Sequence, residues 1–277
     1  MAAHAATGGG AVTAGPKVPE RDEEFWRDYL TRGDSLERRI RIIFKHLPHG
    51  PRCKMCAAPF GGVGSGLMRA IGKRPSDRNP GMCASCFRFV ETHHGGAEIE
   101  CTMLFADIRG STGLAERMTA GEFHNLLDRF YTVASGVVFD HDGSVDKFVG
   151  DELVALFFPL MSGDDHAIQG VKAAQSLLRA TGHDSPEGPW VPVGAGVHTA
   201  KTWFGAVGQG PRVELTAVGD GMNTTARLAS VAAAGEVLVT TAAATAAGLD
   251  AALPRRSLDL KGKELTTEVV TLHVAPA

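Results

Sequence analysis

Apolar positions along the chain fall into distinct patterns, and each pattern predicts an element. CTMLFADI, residues 101–108, has the length and apolar continuity of a buried strand, and GST after it leads into a helical pattern from near Leu114. Thr119 and Glu122 form a capping box ahead of Phe123, Leu126, Leu127, Phe130, Val133 and Val137, which mark a long amphipathic helix. Val145, Phe148 and Val149 lead into Gly150-Asp151, and Leu153, Val154, Leu156 and Phe157 lead away, so a β-hairpin is expected with Asp151 at its tip. GDDHAIQGVKAAQSLLRAT then reads as a helix and VPVGAGVHT as a strand with one buried face. The order β-α-β-β-α-β is that of a ferredoxin-like palm, and the expected class is α+β.

Beyond the palm, KTWFGAVG and VELTAVG read as extra strands, followed by a short helix carrying Asn223 and Arg227. An Ala-rich helix near Thr241 to Ala247 and closing strands around LKGKELTTEVVTLH complete this half. Ahead of the palm, Glu23 to Leu47 is helical in pattern, with Asp34 and Glu37 as a capping box. Ile40, Ile43, Phe44 and Leu47 fall on a packed face, and Arg38, Arg39, Arg41 and Lys45 on a basic solvated one. Phe25, Trp26, Tyr29 and Leu30 add an aromatic segment that packs on the same core or on a second subunit. The division expected is a disordered tail over residues 1–20, a helical and Cys-rich module over 21–97, and a catalytic domain over 98–277.

Composition changes this picture little. A formal net charge of −3 gives no reason to expect a nucleic-acid or membrane surface, and no apolar run approaches the length of a membrane span. The Ala- and Gly-rich start has neither a basic beginning nor a continuous apolar centre, so it does not read as a signal peptide and a cytoplasmic location is expected. In a reducing compartment the five cysteines are ligands or free thiols before they are disulfides.

Four of them form two knuckles, Cys53-x-x-Cys56 and Cys83-x-x-Cys86, separated by a Gly- and Pro-rich loop somewhat longer than that of the usual zinc ribbon. Two thiolates from each turn can close a tetrahedron, so a structural Zn²⁺ is expected, with an iron–sulfur cluster, redox-active thiols or unliganded cysteines as alternatives. His49, His93 and His94 are close in sequence but read as surface residues. Cys101, inside the apolar strand, reads as a small buried hydrophobe.

The chemistry lies at the ends of the predicted strands. Asp107 stands where a strand meets a helix N-terminus, an arrangement in which a carboxylate can hold Mg²⁺ while the N–H groups of Gly110, Ser111 and Thr112 point at an anion. With Asp151 it supplies the two carboxylates that a two-metal phosphoryl-transfer site needs. Asn223 and Arg227, one helical turn apart, project an amide and a guanidinium from one face. In order and spacing, FADIRGST, KFVGDE and the run from Thr216 to Arg227 resemble the catalytic segments of class III nucleotidyl cyclases, a likeness that extends from roughly Glu98 to the C-terminus.

That resemblance implies a homodimer in which two catalytic domains lie head to tail and complete each other's sites. It implies that Asp107 and Asp151, with the Ile108 carbonyl, bind two Mg²⁺ or Mn²⁺ ions, while from the partner Asn223 orients the ribose and Arg227 stabilises charge developing on the phosphate. Lys261 resembles a lysine that contacts the terminal phosphates. Lys147 and Thr216 fall at the positions that specify the base. A lysine can only donate, which suits adenine N1 and not the N1–H of guanine, and a threonine hydroxyl can accept from the adenine amino group, so ATP is the expected nucleoside triphosphate. Many adenylate-forming members carry aspartate where this chain has Thr216; the threonine looks like a subgroup linked with bicarbonate stimulation and leaves pyrimidine nucleotides open. Ala200 stands where similar proteins usually have glycine, and His198 reads as a satisfied strand residue.

Three other readings compete. A diguanylate cyclase shares the two-metal palm, but Val149-Gly150-Asp151-Glu152 lacks its second glycine and that scheme has no use for Asn223 and Arg227. A catalytically silent nucleotide sensor would be marked by loss of an aspartate, and both are present. A nucleic-acid-binding knuckle module lacks stacking aromatics beside the cysteines. The Cys-rich segment is instead expected to hold the dimer in register.

Overall fold

Two helices open the structure, α1 (Glu20–Thr31) and α2 (Ser35–Lys45), followed by α3 (Ser65–Ala70) and α4 (Ala84–Thr92) around the knuckles. The palm follows as β1 (Gly96–Ile108), α5 (Ser111–Arg117), α6 (Ala120–Asp140), β2 (Ser144–Val149), β3 (Glu152–Phe157), α7 (Pro159–Ser162), α8 (His166–Ala180) and β4 (Val193–Val207). The chain ends with β5 (Glu214–Val218), α9 (Asp220–Val231), β6 (Glu236–Thr240), α10 (Thr241–Ala246), β7 (Arg255–Leu258) and β8 (Thr267–His273). This computed structural model describes residues 20–33, 35–45, 47, 51–62, 65–208, 213–260 and 266–274. Asp34 of the expected capping box, His49 and Lys261 lie outside them.

The sheet runs β2-β3-β1-β4-β6-β8-β7, with β5 paired to β4. Its first four strands have the order and antiparallel neighbours of the ferredoxin-like palm. From Cys101 to Ala106 the central strand β1 is buried on both faces. Ile99, Cys101, Met103 and Phe105 join a cluster with Trp26, Leu30, Phe87 and Val90, whereas Leu104, Ala106 and Ile108 pack with Phe130, Val138, Val171 and Leu177 of α6 and α8. The Thr119–Glu122 capping box forms as its spacing predicts, in both directions.

Three expectations need correction. KTWFGAVG is not a separate strand: β4 runs unbroken through it, pairing with β1 from Gly96↔Gly205 to Ile108↔Val193. The helix after Asp107 begins at Ser111 rather than near Leu114, because Gly110 takes a left-handed φ of 69° and turns the chain into it. On α2 the polar and apolar faces differ from the pattern. Ile43 is 60% exposed, while Arg41 is buried and donates to the Met55 carbonyl at 2.9 Å and the Gly143 carbonyl at 2.8 Å. Trp26 settles the place of the aromatic segment within its own chain, with no exposed surface and its indole N–H on the His93 carbonyl at 3.0 Å.

Candidate active site

Asp107 and Asp151 meet at one end of the sheet because of register. Asp107 is opposite Glu152 in the β1–β3 ladder, and Asp151 is the turn residue that precedes Glu152. The turn needs Gly150, whose φ is 63°, and is pinned from outside: the Tyr131 hydroxyl donates to the Gly150 carbonyl, and the Tyr131 ring stacks on Phe148 with centroids 3.9 Å apart. Arg109 N–H donates to the Pro192 carbonyl on the β4 side. In that trans peptide the Ile108 carbonyl therefore points the other way, toward β3 and Asp151. Two carboxylates and a carbonyl are hard oxygen donors, the set that suits Mg²⁺ or Mn²⁺.

Charge at this end is dense. The Arg109 guanidinium pairs with Asp107 and donates to the Ser230 carbonyl at 2.8 Å, tying the strand end to the C-terminus of α9. Burial lowers the Arg109 pKa, against the pull of Asp151 and Glu152. Burial raises the Glu152 pKa and the Asp151 carboxylate raises it further, while Arg109 opposes both. Neither Arg109 nor Tyr131 stands out in the sequence. Arg109 at least lies inside FADIRGST.

Helix α9 presents Asn223 and Arg227 outward from β4. Its buried face is Gly221, Thr224, Thr225, Leu228 and Ala229, and it approaches the sheet so closely that a Cβ on Gly196 would stand 2.6 Å from that of Leu228. Asn223 is exposed and Arg227 half-buried, and among the described residues neither side chain makes a hydrogen bond or ion pair.

Lys147 and Thr216 converge on a residue that the sequence pattern hides. The β2–β3 register shifts between Val145 and Lys147, making Asp146 the extra residue of a bulge, with its side chain 1% exposed. Thr216 Oγ1 donates to Asp146 Oδ2 at 2.7 Å, and Lys147 Nζ lies 3.3 Å from the same oxygen. A third group reaches in from the first knuckle: Lys54 Nζ donates to the Leu215 carbonyl at 2.8 Å and lies 3.9 Å from Asp146 Oδ1.

The knuckles themselves come together. The sulfurs of Cys53, Cys56, Cys83 and Cys86 lie within 4.8 Å of one another, and Cys56 Sγ is 3.7 Å from Cys83 Sγ. Tetrahedral thiolates on Zn²⁺ stand about 3.8 Å apart, so the donor set fits that ion. The Cys83 N–H donates to Cys53 Sγ at 3.2 Å, and hydrogen bonds from Cys53, Cys56 and Cys86 push the Cys83 thiol below its ordinary range. His93 stacks between Phe25 and Phe89 at 4.7 and 4.6 Å, and His94 bonds the Gly208 carbonyl, so neither joins the cysteines. Burial pushes the Cys101 thiol up to about 12, the behaviour of a packed hydrophobe. His198 bonds Thr240 Oγ1 at 2.9 Å, as a satisfied strand residue should.

Residues 96–273 match the model of the adenylate and guanylate cyclase catalytic domain. The chain belongs to this family. The family is one of phosphorus–oxygen lyases, and the chain is thereby a class III cyclase domain. The cyclase is 36% identical over 129 residues to the terminal-differentiation specific adenylate cyclase of Dictyostelium discoideum, across 46% of this chain and 6% of that protein. It is 29% identical over 133 residues to an adenylate cyclase of Anabaena cylindrica, across 46% of this chain and 26% of that protein. The chain thus spans a minor part of the length of these curated relatives. Among solved structures, it is similar to the guanylyl cyclase Cya2, with a TM-score of 0.58 and 25% identity over 64% of this chain and 93% of that one. It also resembles the adenylyl cyclase CyaB from P. aeruginosa in fold, with a TM-score of 0.56 and 23% identity over 64% and 95% of the two chains. Structures named for guanylyl and for adenylyl cyclases thus share this fold.

Proposed function

We propose that this cyclase converts ATP to 3′,5′-cyclic AMP and pyrophosphate at a site completed by a second copy of the chain. The hydrogen bond from Thr216 to Asp146 carries the choice of ATP. It commits the hydroxyl proton, so the Thr216 oxygen meets a base as an acceptor. The amino group of adenine satisfies it, and the carbonyl of guanine would oppose it lone pair to lone pair. Lys147, a donor only, complements adenine N1 in the same way. Cytosine offers a similar amino group beside an unprotonated ring nitrogen, which makes CTP the natural competitor.

Asp107 and Asp151, with the Ile108 carbonyl, would hold two Mg²⁺ or Mn²⁺ ions, which when bound favour ionisation of the ribose 3′-hydroxyl and neutralise the phosphates. Arg109 and the Tyr131-pinned turn keep the two carboxylates oriented. The N–H groups of Gly110, Ser111 and Thr112 are assigned to phosphate oxygens, and Lys261 to the terminal phosphates. Asn223 orients the ribose, and the Arg227 fork of donors takes up the charge that grows on the transferred phosphate. Because both lack a partner among the described residues and face away from β4, they are assigned to the site of the partner copy. The Cys-rich segment, with Zn²⁺ at Cys53, Cys56, Cys83 and Cys86, is assigned a structural role that holds the dimer in register.

The test is incubation of purified protein with Mn²⁺ and each of ATP, GTP, CTP and UTP, alongside Asp151→Ala, with cyclic products identified by mass spectrometry. Cyclic AMP from ATP, abolished in the variant, supports the reading. A cyclic pyrimidine nucleotide would keep the mechanism and overturn the base assignment, and no product would favour a silent nucleotide-binding sensor. Bicarbonate activation, proposed from Thr216, fails if turnover is flat across a bicarbonate series at fixed pH. A cytoplasmic location is proposed too; no helix among the described residues is long and apolar enough to cross a membrane.

A further inference from the structure

We propose that Lys54, from inside the first cysteine knuckle, is a positioning residue for base selection. The inference rests on reading Lys147 and Thr216 as the base-specifying pair. Lys147 rides on β2 and Thr216 on β5, and these strands are not neighbours in the sheet. Their relative placement depends on the link through Asp146. Lys54 holds both ends of that link, with its ammonium on the Leu215 carbonyl, one residue before Thr216, and beside Asp146. Its own backbone is fixed from both sides: its N–H donates to the Gly81 carbonyl at 2.9 Å, and Ser144 Oγ donates to its carbonyl at 2.7 Å.

The charge balance gives Lys54 its role. Asp146 is buried, and an ionised buried carboxylate needs a cation beside it. Among the described residues, Lys147, 45% exposed, and Lys54, 10% exposed, are the two that reach it. To donate to a base, Lys147 must turn from Asp146 toward the ligand. Lys54 then remains as the counter-charge beside Asp146, whose other oxygen stays in place to accept from Thr216. Without Lys54, the buried Asp146 retains Lys147 as its counter-charge, and the donor that distinguishes adenine from guanine is withheld from the base.

The experiment measures equilibrium binding of ATP and GTP by calorimetry with Ca²⁺ as the divalent ion, and zinc content and Tm for every variant. The variants are Lys54→Met, Lys54→Arg, Asp146→Asn, the Lys54→Met/Asp146→Asn pair and Lys147→Ala as reference. Lys54→Met is expected to weaken ATP binding roughly tenfold, the scale of one lost charge-assisted hydrogen bond, with GTP affinity changed far less. Lys54→Arg should restore most of the preference, and the paired variant should be no weaker than Asp146→Asn alone, since Lys54 acts through Asp146. Equal weakening of both nucleotides, additive losses in the pair, unchanged ATP binding, or loss of zinc from Lys54→Met would each overturn the proposal. If Lys147→Ala also leaves the ATP preference intact, the base-specifying reading itself is wrong and this inference goes with it. A normal response at Lys147 with none at Lys54 rejects the inference alone.

Discussion

Asp107 faces Glu152 directly across the β1–β3 ladder, which places Asp151 one position further along, at the end of the sheet where the Ile108 carbonyl also points. The register therefore separates two adjacent acids by position, Asp151 at the turn and Glu152 within the strand. Asp151→Asn should lower turnover with Mn²⁺ by roughly 10²- to 10³-fold, the effect of several kcal/mol of lost charge stabilisation. Glu152→Gln should stay within about tenfold of the parent chain, since that substitution removes a carboxylate that burial and Asp151 already disfavour. Steady-state assays of both variants at saturating Mn²⁺ check the contrast; equal losses would reverse the assignment.

Tyr131 fixes the Asp151 turn by its hydroxyl and by its ring, and the two contributions separate cleanly. Tyr131→Phe keeps the stack on Phe148 and removes the bond to the Gly150 carbonyl. The expected cost is about 1 kcal/mol of turn rigidity, seen as a drop in turnover of up to roughly tenfold with little change in Tm. Tyr131→Ala removes both and should lower Tm as well. A Phe variant with parental turnover would show that the ring alone places the turn.

Local pattern reveals this fold where burial is periodic and hides it where distant groups meet. The palm is legible because β1 is packed on both faces from Met103 to Ala106 and so runs apolar into Asp107, and because Thr119 and Glu122 cap α6 from within four residues. β4 looks like two strands because Thr199, Lys201 and Thr202 interrupt its apolar run. In the structure Thr199 bonds Thr102 on β1 at 2.7 Å, Lys201 points to solvent and pairing continues past both. Asp107 and Asp151, the aspartates proposed to hold metal, can be read from their turns. Asp146 cannot, since a bulge leaves no periodic trace, and neither can Lys54, whose partners lie about ninety and one hundred and sixty residues away. Arg41 has the look of a solvated helix residue for the same reason, because both carbonyls that justify its burial come from outside α2.

Acid should destabilise the fold through two histidines. His166 bonds Thr102 Oγ1 at 2.9 Å, and His183 Nε2 accepts the Val193 N–H at 3.0 Å at the start of β4. Burial lowers the pKa of both, against smaller opposing pulls from Glu100 and Asp164 on the first and Asp184 on the second. With folded-state values below the unfolded value of about 6.5, the unfolded chain binds more protons in that window. Stability is then full above pH about 6.5 and falls as pH drops through it toward the folded values. Tm measured from pH 7.5 to 5 should decline, and His183→Gln should flatten part of the decline. A pH-independent Tm in that range would count against both histidines.

Arg41 joins the Cys-rich segment to the palm by one buried guanidinium, donating to Met55 beside the first knuckle and to Gly143 at the foot of β2. Burial lowers its pKa, with Asp142 opposing, so the charge is retained at a desolvation cost that those bonds and the nearby carboxylate offset. Arg41→Met fills similar volume but leaves two carbonyls without their donor. At roughly 1–3 kcal/mol for each unsatisfied buried group, the variant should lose about 3 kcal/mol in urea unfolding. Because Trp26 and Leu30 share one apolar cluster with Met103 and Phe105 of β1, the loss should appear as a shift of a single transition. A second, earlier transition in Arg41→Met would show instead that the segment unfolds separately, and zinc release followed with a chromogenic chelator would then track that first step.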